Sequence, residues 1–172
     1  MELIQYLSNF ISISKPLETE INSITKSVLF SKGQTIITNN ERCDSMFFIV
    51  KGLVRGYYLD DDGKDVTNWF AQESEFATCF YSYITNTSSF EIIETLEDCE
   101  LIQIPHSSLQ NLYSTFPETE RIGRVITENY YIKLEERILN IQFKSAKERY
   151  QKLVSSKSSI YQRASLGQIA SY

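Results

Sequence analysis

Histidine and tryptophan each occur once in these 172 residues, and proline and cysteine three times each. Each scarcity removes a class of chemistry. A Ser-His-Asp triad would have to use His106, and no GxSxG elbow supplies a nucleophile for it. Metal sites built on two or three histidines are impossible within one chain. His106 stands in "IPHSSL", at an expected strand-to-helix junction, where a capping or surface role is the simpler reading. Cys43, Cys79 and Cys99 lie far apart with no CxxC among them. They read as small hydrophobes in a reducing compartment, not as a disulfide framework or a zinc site. Neither an enzyme nor a metal protein is expected.

Long apolar runs are also missing. "MFFIV", residues 46–50, is the densest stretch, far short of the roughly 20 residues that span a bilayer. The opening "MELIQYLSNF" has no basic n-region and no small-residue cleavage site. A cytoplasmic protein without a membrane partner is expected. Between Lys64 and Arg121 there is no lysine or arginine at all. The net charge of −5 hides a strong asymmetry: residues 1–132 carry 9 basic and 19 acidic side chains, residues 133–172 carry 8 and 3. An acidic body with a basic end suits a protein whose C-terminal part alone meets phosphate, and equally a solvated helical surface.

What is present is β-structure framed by helices. Residues 3–13 and 17–26 read as two short helices, the second carrying Leu17, Ile21 and Ile24 at helical spacing. From Val28 the apolar period becomes two. "VLFSKGQTIIT" holds two short strands, and "SMFFIVKGLVRGYYLDDDGKDVTNWFA" three, separated at Lys51-Gly52 and at Asp62-Gly63, a good hairpin signal. "FEIIETLEDCELIQI" reads as a further strand pair turned over Glu97-Asp98. Seven or eight short strands over residues 28–104 predict an antiparallel barrel or jelly roll, in an α+β chain.

After Ile104 the pattern is helical. "SSLQNLYSTF" is one short helix, and Pro117 suits the first turn of a longer one running to about Lys144. The long helix carries two apolar lines. Ile122, Val125, Ile132, Leu139 and Phe143 follow heptad spacing, interrupted by Asn129 and Glu136; Ile126, Tyr130, Leu134, Ile138 and Ile141 form the other. A helix apolar on two sides has two partners. One is the β body. The other is a second copy of the helix, with Ile122, Val125, Asn129, Ile132, Leu139 and Phe143 in the seam and Asn129 setting register, unless the helix is sunk in a monomeric core. Ser145 caps a further helix, "AKERYQKLVSSK", and Ser165 opens another at "LGQIASY". Domain limits of 1–116, 117–145 and 146–172 follow.

This order of elements resembles the Crp/Fnr family of transcription regulators, most specifically in "FFIVKGLVRGYYLDDDGKDVTNWF". "LEERILNIQFKSAKERYQKLV" is similar to the dimer helix of members of the Bacteroidetes type, running into their DNA-binding domain. The resemblance implies a cyclic-nucleotide-binding-like jelly roll and a homodimer, and makes "LGQIASY" the first part of a helix-turn-helix, which the 172 residues do not complete. It implies DNA as a partner only for a complete C-terminal domain. Lys144, Lys147, Arg149, Lys152, Lys157 and Arg163 are then candidate phosphate contacts.

Members that bind cyclic nucleotide carry a Phe-Gly-Glu-Leu cassette and a later Arg. Gly admits backbone amides to the phosphate, Glu holds the ribose and Arg pairs with the phosphate charge. Counting back from "EDCELIQI", Thr78 stands at the Gly, Cys79 at the Glu and Ser89 at the Arg. An anionic phosphate there would lack a counter-charge, so cyclic AMP is not expected. The candidate effector pocket comprises Thr78, Cys79, Tyr81, Ser88, Ser89, Asn129 and Tyr130. Phe80, Tyr81, Tyr83 and Phe90 make the region either a packed core or a cavity for an apolar effector of unknown identity. The resemblance thus implies the effector-sensing and dimerisation part of a regulator. The alternative is a stand-alone small-molecule-binding or protein-interaction module with no DNA binding.

Overall fold

A computed structural model describes residues 2–156 and 158–172. Two helices open the chain, α1 (Leu3–Leu7) and α2 (Lys15–Ile24), the latter capped by the Ser14 side chain. Eight strands follow: β1 (Lys26–Phe30), β2 (Thr35–Ile37), β3 (Ser45–Lys51), β4 (Val54–Leu59), β5 (Asp65–Ala71), β6 (Phe76–Ala77), β7 (Ile92–Thr95) and β8 (Cys99–Pro105). A short helix, α3 (Phe80–Thr85), interrupts them. The remainder is helical: α4 (His106–Thr115), α5 (Thr119–Phe143), α6 (Ala146–Ser156), α7 (Ser158–Arg163) and α8 (Leu166–Ala170).

The strands form two four-stranded antiparallel sheets, ordered β1-β8-β3-β6 and β2-β7-β4-β5, as expected of a jelly roll. Alternation along β3 links the layers. Phe47 and Ile49 enter the core between the sheets with Val54, Ile93 and Leu101, whereas Phe48 and Val50 face a helical layer of α1, α2, α4 and α5. The β3–β4 turn needs Gly52, whose φ is +112° and whose added Cβ would lie 2.4 Å from Cys99 Sγ.

Three expectations are corrected. β7 and β8 do not pair with each other: β7 joins β4 and β2, β8 joins β1 and β3, so Glu97-Asp98 is a crossing between sheets and not a hairpin turn. The first helix ends at Leu7, and half-buried Phe10, Ile11 and Ile13 pack on the helical layer without continuing it. Within the aromatic stretch, α3 forms where no helix was expected. It is ended by Asn86 in the left-handed conformation (φ +60°), and Ser82 Oγ donates to the Thr87 carbonyl at 2.6 Å.

The long helix lies along the body through one line of side chains. Ile122 and Ile126 enter the helical-layer cluster, Tyr130 stacks on Phe80 with ring centroids 4.2 Å apart, Lys133 pairs with Glu75 at 2.6 Å, and Arg137 Nη2 donates to the Thr67 carbonyl at 2.9 Å. Beyond α5, Ser145 caps α6 and a full capping box of Ser165 and Gln168 opens α8. The last helices return to the outer face of the second sheet, where Ile160 packs among Leu53, Phe70 and Leu96 and the Tyr172 ring meets Phe70 at 5.3 Å. Among the described residues no helix is long and apolar enough to cross a membrane.

Candidate functional site

The structure brings Thr78, Cys79, Ser89 and Tyr130 to one place beneath α5 and leaves the other candidates outside. Thr78, Cys79 and Ser89 are almost wholly buried, whereas Tyr81, Ser88 and Asn129 are exposed. The buried polar groups satisfy one another. Thr78 Oγ1 donates to the Ser45 carbonyl at 3.1 Å and lies 3.2 Å from Cys43 Sγ. Ser89 Oγ donates to the Glu91 carbonyl and accepts from the Glu91 N–H, both at 3.0 Å. The neighbouring Cys43 thiol, together with burial, pushes the Cys79 thiol up, so it stays protonated. A neutral thiol and a serine hydroxyl turned to its own backbone offer a nucleotide neither a carboxylate nor a cation.

A buried carboxyl that the residue pattern did not single out completes the setting. Glu91 is 6% exposed, and its Oε1 accepts from Asn68 Nδ2 at 2.5 Å and Trp69 Nε1 at 3.3 Å. Burial raises its pKa against the lowering effect of those donors. Burial also raises Tyr130, with the Glu91 and Glu75 carboxyls adding to it. The electrostatics here oppose a bound anion.

Two cavities lie away from these groups. One cavity of about 620 Å³ sits between the roll and the helical layer, walled by α2, α4 and α5 and reached by α3. A second, of about 610 Å³, separates α5 from α6 and α8. Neither is lined by Thr78, Cys79 or Ser89. Tyr83 borders the first, and its buried hydroxyl has no hydrogen-bond partner. Burial, then Tyr113 and Cys43, push that phenol up, so it remains a donor. His106, the first residue of α4, meets the Tyr83 ring with centroids 4.5 Å apart.

The seam residues divide. Ile122 is 6% exposed in the helical-layer cluster and belongs to the body, because the helix turns that side inward. Val125 is half-buried. Ile132, Leu139 and Phe143 are 55%, 52% and 78% exposed, along with Asn129. The phosphate candidates divide as well. Lys147 is exposed, Lys144 and Arg149 are half-buried, Lys152 pairs with Glu136 at 3.7 Å, and Lys157 lies outside the described residues.

Arg163 is turned inward, away from any phosphate. Its guanidinium donates to Glu97 (Nη2 to Oε1, 2.6 Å) and to Glu73 (Nη2 to Oε1, 2.8 Å; Nη1 to Oε2, 3.0 Å), tying α7 to the roll. Burial raises Glu73, but hydrogen bonds from Arg163 and the Gly52 N–H leave it below the ordinary glutamate value. A carboxyl depressed on folding stabilises the fold above its unfolded pKa, about 4.3, and loses that contribution as pH falls through the lower folded value. Arg163→Ala should therefore weaken the docking of α7 and α8 by about 1–3 kcal/mol at neutral pH, and less in acid. Hydrogen exchange should show faster α7 and α8 amides with the strands unchanged; equal protection in variant and wild type would contradict this role.

The comparisons agree with this architecture. A family model for the cyclic nucleotide-binding domain matches residues 27–116, over half of the chain. No curated protein matches the sequence. Among solved structures, one from Eubacterium rectale, assigned to the Crp/Fnr family of transcriptional regulators, is 18% identical with a TM-score of 0.76, covering 98% of this chain and 80% of that one. The c-di-GMP responsive global regulator CLP of Xanthomonas campestris is 16% identical with a TM-score of 0.69, covering 89% and 76%. The regulatory subunit of a cAMP-independent protein kinase A from Trypanosoma brucei is 20% identical with a TM-score of 0.57, covering 76% and 50%. The likeness to these structures is one of fold, and the chain, with its two facing sheets and long helix, belongs to the cyclic nucleotide-binding domain family.

Proposed function

We propose that the chain is the effector-sensing and dimerisation part of a Crp/Fnr-like transcription regulator, with a C-terminal helix-turn-helix as its DNA-reading output. The observation that carries this is the long helix. It is fixed to the roll by one line of side chains while Ile132, Leu139 and Phe143 stand bare on another. Such a stripe on a 25-residue helix suits a second copy of the same helix. Residues 1–116 are the sensing roll, 117–145 the dimer helix and 146–172 the beginning of the DNA-binding domain, opened at α8 by its capping box. An effector that shifts the helix against the roll would change the spacing of the two output domains. Cyclic AMP does not suit this site, because a Cys79 thiol held protonated and a Ser89 hydroxyl engaged by its own backbone offer neither a carboxylate nor a cation.

Base reading in a helix-turn-helix belongs to the second helix, and phosphate contacts alone carry no sequence information. Residues 1–172 should therefore bind DNA only weakly, with strong salt sensitivity and no sequence preference, through side chains such as Lys147 and Arg149. A chain carrying both helices of the motif should bind the promoter of its own gene in preference to competitor DNA. Fluorescence anisotropy on both lengths tests this. Sequence-specific binding by residues 1–172 would place recognition elsewhere, and its absence from the longer chain would remove the regulator reading.

A further inference from the structure

The cavity between the roll and the helical layer is built unlike ordinary packing space. Its volume of about 620 Å³ lies within the range of small-molecule pockets, about 300–1,000 Å³. Leu7, Ile21, Ile104, Leu112 and Ile122 give it a buried aliphatic wall. Among the polar side chains that also line it, His106, Gln110, Tyr113 and Thr119 included, Tyr83 stands apart. Tyr83 is 6% exposed, and its hydroxyl and Gln72 Oε1 are the two buried side-chain polar atoms without a hydrogen-bond partner among the described residues. The charged residues on this cavity, Glu120 and Arg124, are exposed, and Arg124 is paired with Glu128 at 2.6 Å. The site therefore has no buried cation for a phosphate.

We propose that this cavity binds a small apolar molecule carrying one hydrogen-bond-accepting oxygen, which the Tyr83 hydroxyl takes. The wall formed by Ile122, Gly123, Ile126 and Thr127 belongs to α5, so the bound molecule would touch the long helix directly. The inference stands apart from the DNA-binding reading, since occupancy is measurable on residues 1–172 alone.

Dansyl-undecanoic acid, an apolar chain ending in a carboxylate, is a suitable fluorescent probe. Saturable binding at one probe per chain is expected. Tyr83→Phe should weaken it about five- to tenfold, the worth of one hydrogen bond. The same substitution should leave the melting temperature of the probe-free protein equal or higher, because it deletes a polar group that has no partner. Leu109→Trp, which fills the cavity from a half-buried position on α4, should abolish saturable binding, its fold being checked by melting. Leu29→Glu, an exposed position on β1 away from the cavity, should leave binding unchanged. No saturable binding, binding indifferent to both Tyr83→Phe and Leu109→Trp, binding lost with Leu29→Glu, or a Tyr83→Phe protein that melts lower without probe would each overturn the proposal.

Discussion

Ile132→Glu combined with Leu139→Glu should convert a protein of twice the chain mass into monomers. Both side chains are more than half exposed in the single chain, so neither substitution disturbs the fold, and circular dichroism should be unchanged. In a two-fold assembly the same patch serves both copies, so each substitution enters the interface twice. Four carboxylates would lose water with no basic partner on the stripe. At only about 1.4 kcal/mol each, they would weaken association about 10⁴-fold, and buried unpaired charges usually cost more. Leu29→Glu with Leu166→Glu, still more exposed apolar positions away from the stripe, should leave the mass unchanged. Light scattering reads all three proteins. A wild-type monomer at concentrations of tens of micromolar would contradict the seam.

Much of the roll was readable from local chemistry. Asp62-Gly63 turns β4 into β5 because glycine accepts the φ of +76° found there, and strict alternation along β3 separates Phe47 and Ile49 from Phe48 and Val50. The partnering of β7 and β8 was not readable. A turn signal such as Glu97-Asp98 reports that the chain bends, not whether the flanking strands then pair or pass to opposite sheets. The contacts of Leu96 on the outer face of the second sheet and of Leu101 in the core, which settle the matter, are long-range. α3 was hidden for a similar reason: Phe80, Tyr81, Tyr83 and Ile84 favour strands, and burial of Ser82 and Tyr83 overrides that preference.

The candidate site was legible in its composition but not in its shape. Replacement of the cassette by Thr78, Cys79 and Ser89 could be read directly. That these groups close on one another, with Glu91 buried beside them, requires the fold. On α5, periodicity supplied two apolar lines and one was assigned to the seam; Ile122 of that line is buried against the body, while Leu134, Ile138 and Ile141 of the line assigned to the body are exposed. Arg163 counted as one more basic residue in a basic tail. Only the approach of Glu73, ninety positions earlier, and Glu97 makes it an internal tie. The orphaned Tyr83 hydroxyl had no signal in the sequence at all, because an unmet hydrogen bond is a property of packing.

We propose that this cyclic nucleotide-binding domain has the fold without the means of holding a cyclic nucleotide. Binding a phosphate in the roll would require a cation where Ser89 stands, and the serine hydroxyl is already engaged in both directions by Glu91 backbone. It would also place an anion near the buried Glu91 carboxyl. Loss of two charge-assisted contacts, at about 1.5–3 kcal/mol each, lowers affinity by about 10²–10⁴-fold before any repulsion is counted. Isothermal titration calorimetry with cyclic AMP and with cyclic GMP tests this most directly. The account predicts no saturable heat up to about 1 mM nucleotide, and a dissociation constant of about 10 μM or tighter for either would contradict it.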